Sequence, residues 1–244
     1  MRDSIVILSG AGLSAQSGLR TFRDSDGLWE EYDVMEVCSV EGWKRNRAKV
    51  TEFYNQRRLQ LQKVKPNAAH DYFAQLEQRY GERCIHLTQN VDNLLEQAGC
   101  ERVIHLHGTL TELRCERCGR EHFIGYMAQS GQEVCEACGK GLLRHNVVMF
   151  GEAAPNYAHI TPALQRAKLF IAIGTSGQVL DISSMAKATP KSVLINPERE
   201  PRHGMFGKIQ GYIEEDFDIF LPMKATEAIE EIERIIGEME ISPK

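Results

Sequence analysis

The chain opens with a short, unbroken apolar run, Ile5, Val6, Ile7 and Leu8, and such runs mark strands covered on both faces of a parallel sheet. The pattern returns at residues 84–88, 103–106, 147–150, 169–179 and 192–198, which read as further strands. Between them the apolar positions take helical spacing. Residues 41–62 read as one helix, with Trp43, Val50, Phe53 and Leu61 available for packing. Pro66 and Asn67 open a second, which Gly81 closes, and residues 160–167 form a third. Near the C-terminus Ala225, Ile229, Ile232, Ile235 and Ile236 recur beside Glu227, Glu230, Glu231 and Glu233, which describes a docked helix with a solvated acidic face. Strands alternating with helices, several of them ending in small polar residues, predict an α/β fold with a doubly wound parallel sheet that binds a nucleotide along its C-terminal edge.

The first strand runs directly into Gly10, Gly12 and Ala15, the G-x-G-x-x-G/A spacing. Glycines there allow a sharp turn and close approach to a pyrophosphate, whose charge the next helix N-terminus favours. A polar loop with Arg20, Phe22, Arg23 and Trp29 follows. A dehydrogenase would next show an apolar strand ending in Asp or Glu; its absence argues against hydride transfer. The strand at 84–88 delivers Gln89, Asn90 and Asp92 to its end, as ligand contacts or as an Asx turn opening the next helix. The strand at 103–106 delivers His107, placed as an acid or base near neutral pH or as a structural hydrogen-bonder, with His105 as its rival on the same face. Gly174, Thr175 and Ser176 follow one later strand and Asn196 another.

Composition narrows the classes. A net charge of −5 over 244 residues argues against direct nucleic-acid binding. No apolar run approaches the roughly 18 residues of a membrane span, and Arg2 and Asp3 lead straight into a strand, so neither membrane nor signal peptide is expected and the cytoplasm is the default location. Of seven cysteines, Cys115, Cys118, Cys135 and Cys138 form two C-x-x-C-G knuckles sixteen residues apart. Four thiolates at that spacing suit tetrahedral zinc with no open position, hence a structural ion. Cys38, Cys84 and Cys100 are expected to be reduced and at least partly buried.

In their order, GAGLSAQSGLRTFR, TQNVDNL, HLHGT, the cysteine pairs, VVMFGE, GTS and INPE resemble the sirtuin family of NAD-dependent protein-lysine deacylases over roughly residues 5–222. The resemblance implies a Rossmann-like domain of residues 1–31, 84–112 and 144–244, with an inserted smaller domain made of a helical part at 32–83 and a zinc-ribbon module at 113–143. It implies NAD as co-substrate, acyl-lysine proteins as partners, and nicotinamide, O-acyl-ADP-ribose and free lysine as products. His107 would be the general base. Gly10, Ala11, Gly12 and Ser14 would cradle the pyrophosphate. Phe22, Arg23 and Trp29 would lie over the ribose and phosphates, and Gln89, Asn90 and Asp92 would hold the nicotinamide end. Gly174, Thr175, Ser176, Asn196, Pro197 and Glu198 would line the adenosine half. Val147, Val148, Phe150, Gly151 and Glu152 match the strip that pairs with an extended peptide.

Tyr54 and Arg57 match the Tyr-x-x-Arg pair of the branch that removes succinyl and malonyl groups, and Thr21 fits the same branch. An acyl chain ending in carboxylate needs a partner inside an apolar tunnel, and a guanidinium stays charged there. Arg58 is the adjacent decoy. The segment Arg144-His145-Asn146 departs from the family, which usually has Pro there. So do Glu215, Asp216 and Phe217, near the place of an adenine-contacting segment. A monomer is expected. An NAD-dependent protein ADP-ribosyltransferase is the alternative activity.

Overall fold

The computed structural model describes residues 2–19, 32–203 and 209–243. The first strand, β1 (Ser4–Ser9), passes into a one-turn helix, α1 (Ala11–Ala15). Three helices follow the next described residues: α2 (Val34–Val37), α3 (Val40–Arg45) and α4 (Arg47–Leu61). Then come α5 (Ala68–Tyr80), β2 (Cys84–Thr88), α6 (Leu94–Ala98) and β3 (Val103–His105). A small antiparallel sheet interrupts the series, built from β4 (Gly108–Cys115), β5 (Glu121–Phe123) and β6 (Leu143–Val147). The chain returns through α7 (Ile160–Arg166), β7 (Ala167–Ile173), α8 (Ile182–Lys187) and β8 (Ser192–Ile195). A two-stranded ribbon of β9 (Pro201–His203) and β10 (Ile209–Tyr212) precedes β11 (Ile219–Leu221) and α9 (Ile229–Glu238).

The large sheet has six strands in the order β3-β2-β1-β7-β8-β11, and every neighbouring pair is parallel. Strand order therefore reverses between β1 and β7, which opens a crevice at their C-terminal ends. Alternate residues of β1 serve opposite cores, which is why its run carries no polar break. Ile5 and Ile7 pack with α5 and α9, whereas Val6 and Leu8 pack with α7 and α8. Among the described residues no helix is long and apolar enough to cross a membrane.

Four expectations need correction. Residues 41–62 are two helices, because Asn46 leaves helical backbone (φ −149°, ψ 79°) and its side chain accepts the Lys49 N–H as a new N-cap. The strand expected at 147–150 lies earlier, as β6. Residues 148–150 are instead held one hydrogen bond at a time: Val148 N–H donates to the His107 carbonyl and Phe150 N–H to that of Cys38. The strands expected at 169–179 and 192–198 stop at Ile173 and Ile195, leaving their polar residues in the following turns. Finally, α5 buries Tyr72, Phe73 and Leu76 against the large sheet, so it packs with that body and not with the helices before it. Helices α2, α3 and α4 share a separate core with Leu110 and Val147 of the small sheet.

Candidate functional site

The turn after β1 is pressed against the turn after β7. A Cβ at Gly10 would lie 2.6 Å from the Gly174 carbonyl oxygen, and one at Gly12 would lie 2.6 Å from the Gly174 Cα. Gly174 itself has φ +63° and sits as close to Gly12. Only main chain fits between the two strand ends, so the glycines make the floor of the crevice, with Ala11 beginning α1.

Polar side chains ring this floor. Asn90 donates through Nδ2 to the Gly10 carbonyl (3.1 Å) and to Ser14 Oγ (3.2 Å). Ser14 in turn donates to Asp92 Oδ2 (2.9 Å), and burial raises the pKa of that carboxyl. Asp92 Oδ1 also accepts the Leu94 N–H (3.2 Å), so the Asx-turn role and the site role coincide in one residue. Gln89 reaches across the crevice to Thr175 Oγ1 (2.8 Å), and Asn196 donates to the Thr175 carbonyl (2.7 Å). Ser176 is half-buried in the same turn, while Pro197 and Glu198 are exposed beyond β8. Phe22, Arg23 and Trp29, like Thr21, lie outside the described residues.

His107 and its rival are anchored alike. The Nδ1 atoms of His107 and His105 lie 3.1 and 2.9 Å from the carbonyl oxygens of Gln89 and Asn90. Carbonyls only accept, so each Nδ1 carries a proton and Nε2 decides the chemistry. Burial lowers the pKa of His107 although the Gln89 carbonyl opposes it, and its Nε2 accepts the Tyr157 hydroxyl (2.7 Å). For His105 burial also acts downward, but the Glu96 carboxylate 2.6 Å from Nε2 reverses the outcome and raises its pKa. Burial therefore favours the neutral imidazole at His107, whereas Glu96 favours the protonated ring at His105.

The cysteine module meets the demands of zinc. All four sulfurs lie within 4.8 Å of one another, and the Cys115–Cys138 and Cys118–Cys135 separations are both 3.7 Å. A tetrahedron with metal–sulfur bonds of about 2.3 Å has edges of about 3.8 Å, so the donors stand ready for the ion. Backbone N–H groups of Lys140 and Gly141 bring Cys138 down to about 6, which favours the thiolate that zinc takes. Cys115, Cys118, Cys135 and Cys138 hold a structural zinc with no position left for a reactant.

Set beside known proteins, residues 10–181 match the Sir2 family. The chain belongs to the Sir2 family. A protein from Campylobacter jejuni named NAD-dependent protein deacylase is 53% identical across 87% of this chain and 90% of its own. One of the same name from Helicobacter hepaticus is 40% identical over 98% and 99%. A solved Sir2 homolog–NAD complex superposes with a TM-score of 0.81 at 34% identity, covering 96% of this sirtuin and 90% of that chain.

In this sirtuin Tyr54 lies in the core of the smaller body, its hydroxyl 3.6 Å from Cys38 Sγ and its ring stacked on His145 at 3.8 Å. Burial raises its pKa well above the ordinary phenol value. Arg57 is half-buried one turn away, and desolvation lowers its pKa against the opposing influence of Tyr54, Cys38 and Asp92. Arg58 points elsewhere: it is fully buried, donating to the Leu110 carbonyl and to Asn55 Oδ1.

The expected peptide strip is reduced. The Val147 side chain is buried with the smaller core. Both Glu152 oxygens are committed, one to Arg144 and Arg114 and the other to the Met149 N–H (3.0 Å). Glu152 thus shapes the strip from behind instead of facing a peptide, and Val148, Phe150 and Gly151 are the members that reach the surface. The Arg144 that replaces the family's proline neighbourhood is the buried half of this ion pair. The acidic segment at 214–216 is neutralised by Arg199, Arg202 and Lys187, and Phe217 stacks on Phe170.

Sequence reasoning missed three residues of the site. His70 could have been found from Asn67, since the two form a capping box three apart. Glu96 carried no mark beyond its helix. Tyr157, in a 3₁₀ turn (Pro155–His159), had no periodic signal at all.

Proposed function

We propose that this sirtuin is an NAD-dependent protein-lysine deacylase that favours acyl groups ending in a carboxylate, succinyl and malonyl above acetyl. One observation carries the reading: a buried imidazole that burial keeps towards its neutral form, His107, stands beside the Gln89–Asn90–Asp92 cluster and the glycine turn at the strand-order reversal. NAD supplies a glycosidic bond to nicotinamide and ribose hydroxyls. The turn that begins α1 takes its pyrophosphate, its shape held by Gly10 and Gly12 packing directly on Gly174. Asn90, Ser14 and Asp92 form the polar wall for the nicotinamide end. His107 Nε2 takes a proton from a ribose hydroxyl, in place of the bond it accepts from Tyr157. The acyl-lysine peptide lies along Val148, Phe150 and Gly151.

Tyr54 and Arg57 support the acyl preference, because a guanidinium one helical turn from a buried phenol offers paired donors to a terminal carboxylate. The test is mass spectrometry of acetyl-, succinyl- and malonyl-lysine peptides with and without NAD. Arg57→Met is expected to lower desuccinylation roughly 10- to 150-fold, the equivalent of about 1.5–3 kcal/mol for a lost charged hydrogen bond, while deacetylation changes little. Equal losses on both substrates would reject the preference. Label passing from NAD onto protein with no deacylated peptide would mean an ADP-ribosyltransferase instead.

A further inference from the structure

Three donors meet under the N-terminal half of β2, away from the crevice, with a fourth beside one of them. Glu77 comes from α5, Cys84 and His86 from one face of β2, and Cys100 from the turn before β3. All are buried, at 5%, 1%, 1% and 4% exposure. His86 Nε2 lies 3.4 Å from Glu77 Oε2 and 3.6 Å from Cys84 Sγ. The donors of Glu77, His86 and Cys100 fall within 4.8 Å of one another; Cys84 Sγ is close to His86 but not within that distance of all three.

The cluster fits poorly as a simple ion pair. An imidazole and a carboxylate free to pair close to about 2.7–2.9 Å, yet Glu77 Oε2 makes no hydrogen bond although buried. Its partner oxygen is held by the Glu101 N–H (3.2 Å), which fixes the carboxylate. Around zinc, with bonds of about 2.05 Å to nitrogen, 2.1 Å to oxygen and 2.3 Å to sulfur, tetrahedral edges are about 3.4 Å for N–O and about 3.6 Å for N–S. The spacing matches an ion better than it matches a proton.

We propose that Glu77, His86 and Cys100, with Cys84 as the fourth donor, form a second transition-metal site, separate from the cysteine knuckles. The sulfur and nitrogen donors select zinc-like ions over magnesium or calcium. An ion here ties α5 and the turn before β3 to the strand whose far end carries Gln89.

The test is zinc content by mass spectrometry after equilibrium dialysis of the full chain against buffered zinc. Two ions per wild-type chain are expected, and one in Cys100→Ser and in His86→Asn. Added zinc should raise the melting temperature of one-zinc wild-type protein but not of Cys100→Ser. Cobalt substitution of wild type reads the site without a variant: a second, weaker sulfur-to-cobalt absorption band should grow after the four-thiolate band saturates. Saturation at one ion, with a single cobalt band and no melting shift, would overturn the proposal and leave a buried acid–imidazole pair.

Discussion

Gly12→Ala tests the main-chain floor most directly. The new methyl would stand 2.6 Å from the Gly174 Cα and 3.1 Å from its carbonyl oxygen. Ordinary carbon contacts need about 3.5–4.0 Å, so the two strand-end turns must part by about 1 Å. Neither neighbour is a side chain that could swing aside, and overpacking of this kind costs about 1–3 kcal/mol. At about 2–4 °C per kcal/mol for a domain of this size, the melting temperature should fall by roughly 2–12 °C. NAD affinity, by calorimetry, should fall at least about tenfold, since about 1.4 kcal/mol of displaced phosphate contact suffices. Gly237→Ala is the control: that glycine is exposed in α9 with nothing within 4 Å of a Cβ, so the change should stabilise by up to about 1 kcal/mol. Unchanged melting and affinity in Gly12→Ala would refute the close-approach argument. Lower melting with intact NAD binding would make the turn structural only.

Three other outcomes are expected. Tyr157→Phe removes a hydroxyl that stabilises neutral His107, so the acid limb of kcat/KM should move to higher pH; a limb that stays put would separate the hydroxyl from the imidazole. His70 accepts the Asn67 N–H at Nδ1 and lies 3.4 Å from Ser14 Oγ at Nε2, and burial lowers it from 6.5 to about 4. The unfolded state thus takes up the proton first: stability is complete above pH 6.5 and declines towards pH 4, by on the order of 3 kcal/mol in total. Urea unfolding at pH 7 and pH 5 checks this; His145 and His107, also lowered by burial, add to the decline, so a His70→Gln chain should lose only the His70 share, and an undiminished decline would refute it. Stripping zinc with a chelator should melt the β4-β5-β6 module; unchanged melting after verified metal loss would deny the ion its structural part.

The sequence made most of this legible where one local rule governs. The apolar run of β1, the glycine spacing and the paired cysteines each state their structure within a few residues, and all three appear as expected. Asn67 as a cap was equally readable. Tertiary demands hid the remainder. Arg144, His145 and Asn146 look like a polar lead-in, yet they are the buried interior of β6: Arg144 pairs with Glu152 and Asn146 with Glu112 and Glu121, while the His145 ring stacks on Tyr54 with neither nitrogen hydrogen-bonded. No periodicity announces a strand whose inward positions are polar. Asn46 broke a helix that apolar spacing had joined, although its capping preference was a usable warning. The site of α5 depended on which of two cores would receive its apolar face, and both were available to the same pattern.

The twin fastening of His105 and His107 carries a consequence for engineering. Adjacent peptide oxygens clamp both rings in the same way, so main-chain anchoring does not distinguish them; a lone carboxylate, Glu96, favours the protonated form of one ring only. Neutralising Glu96 should therefore lower the affinity of His105 for its proton and bring the two imidazoles, two residues apart, closer in character.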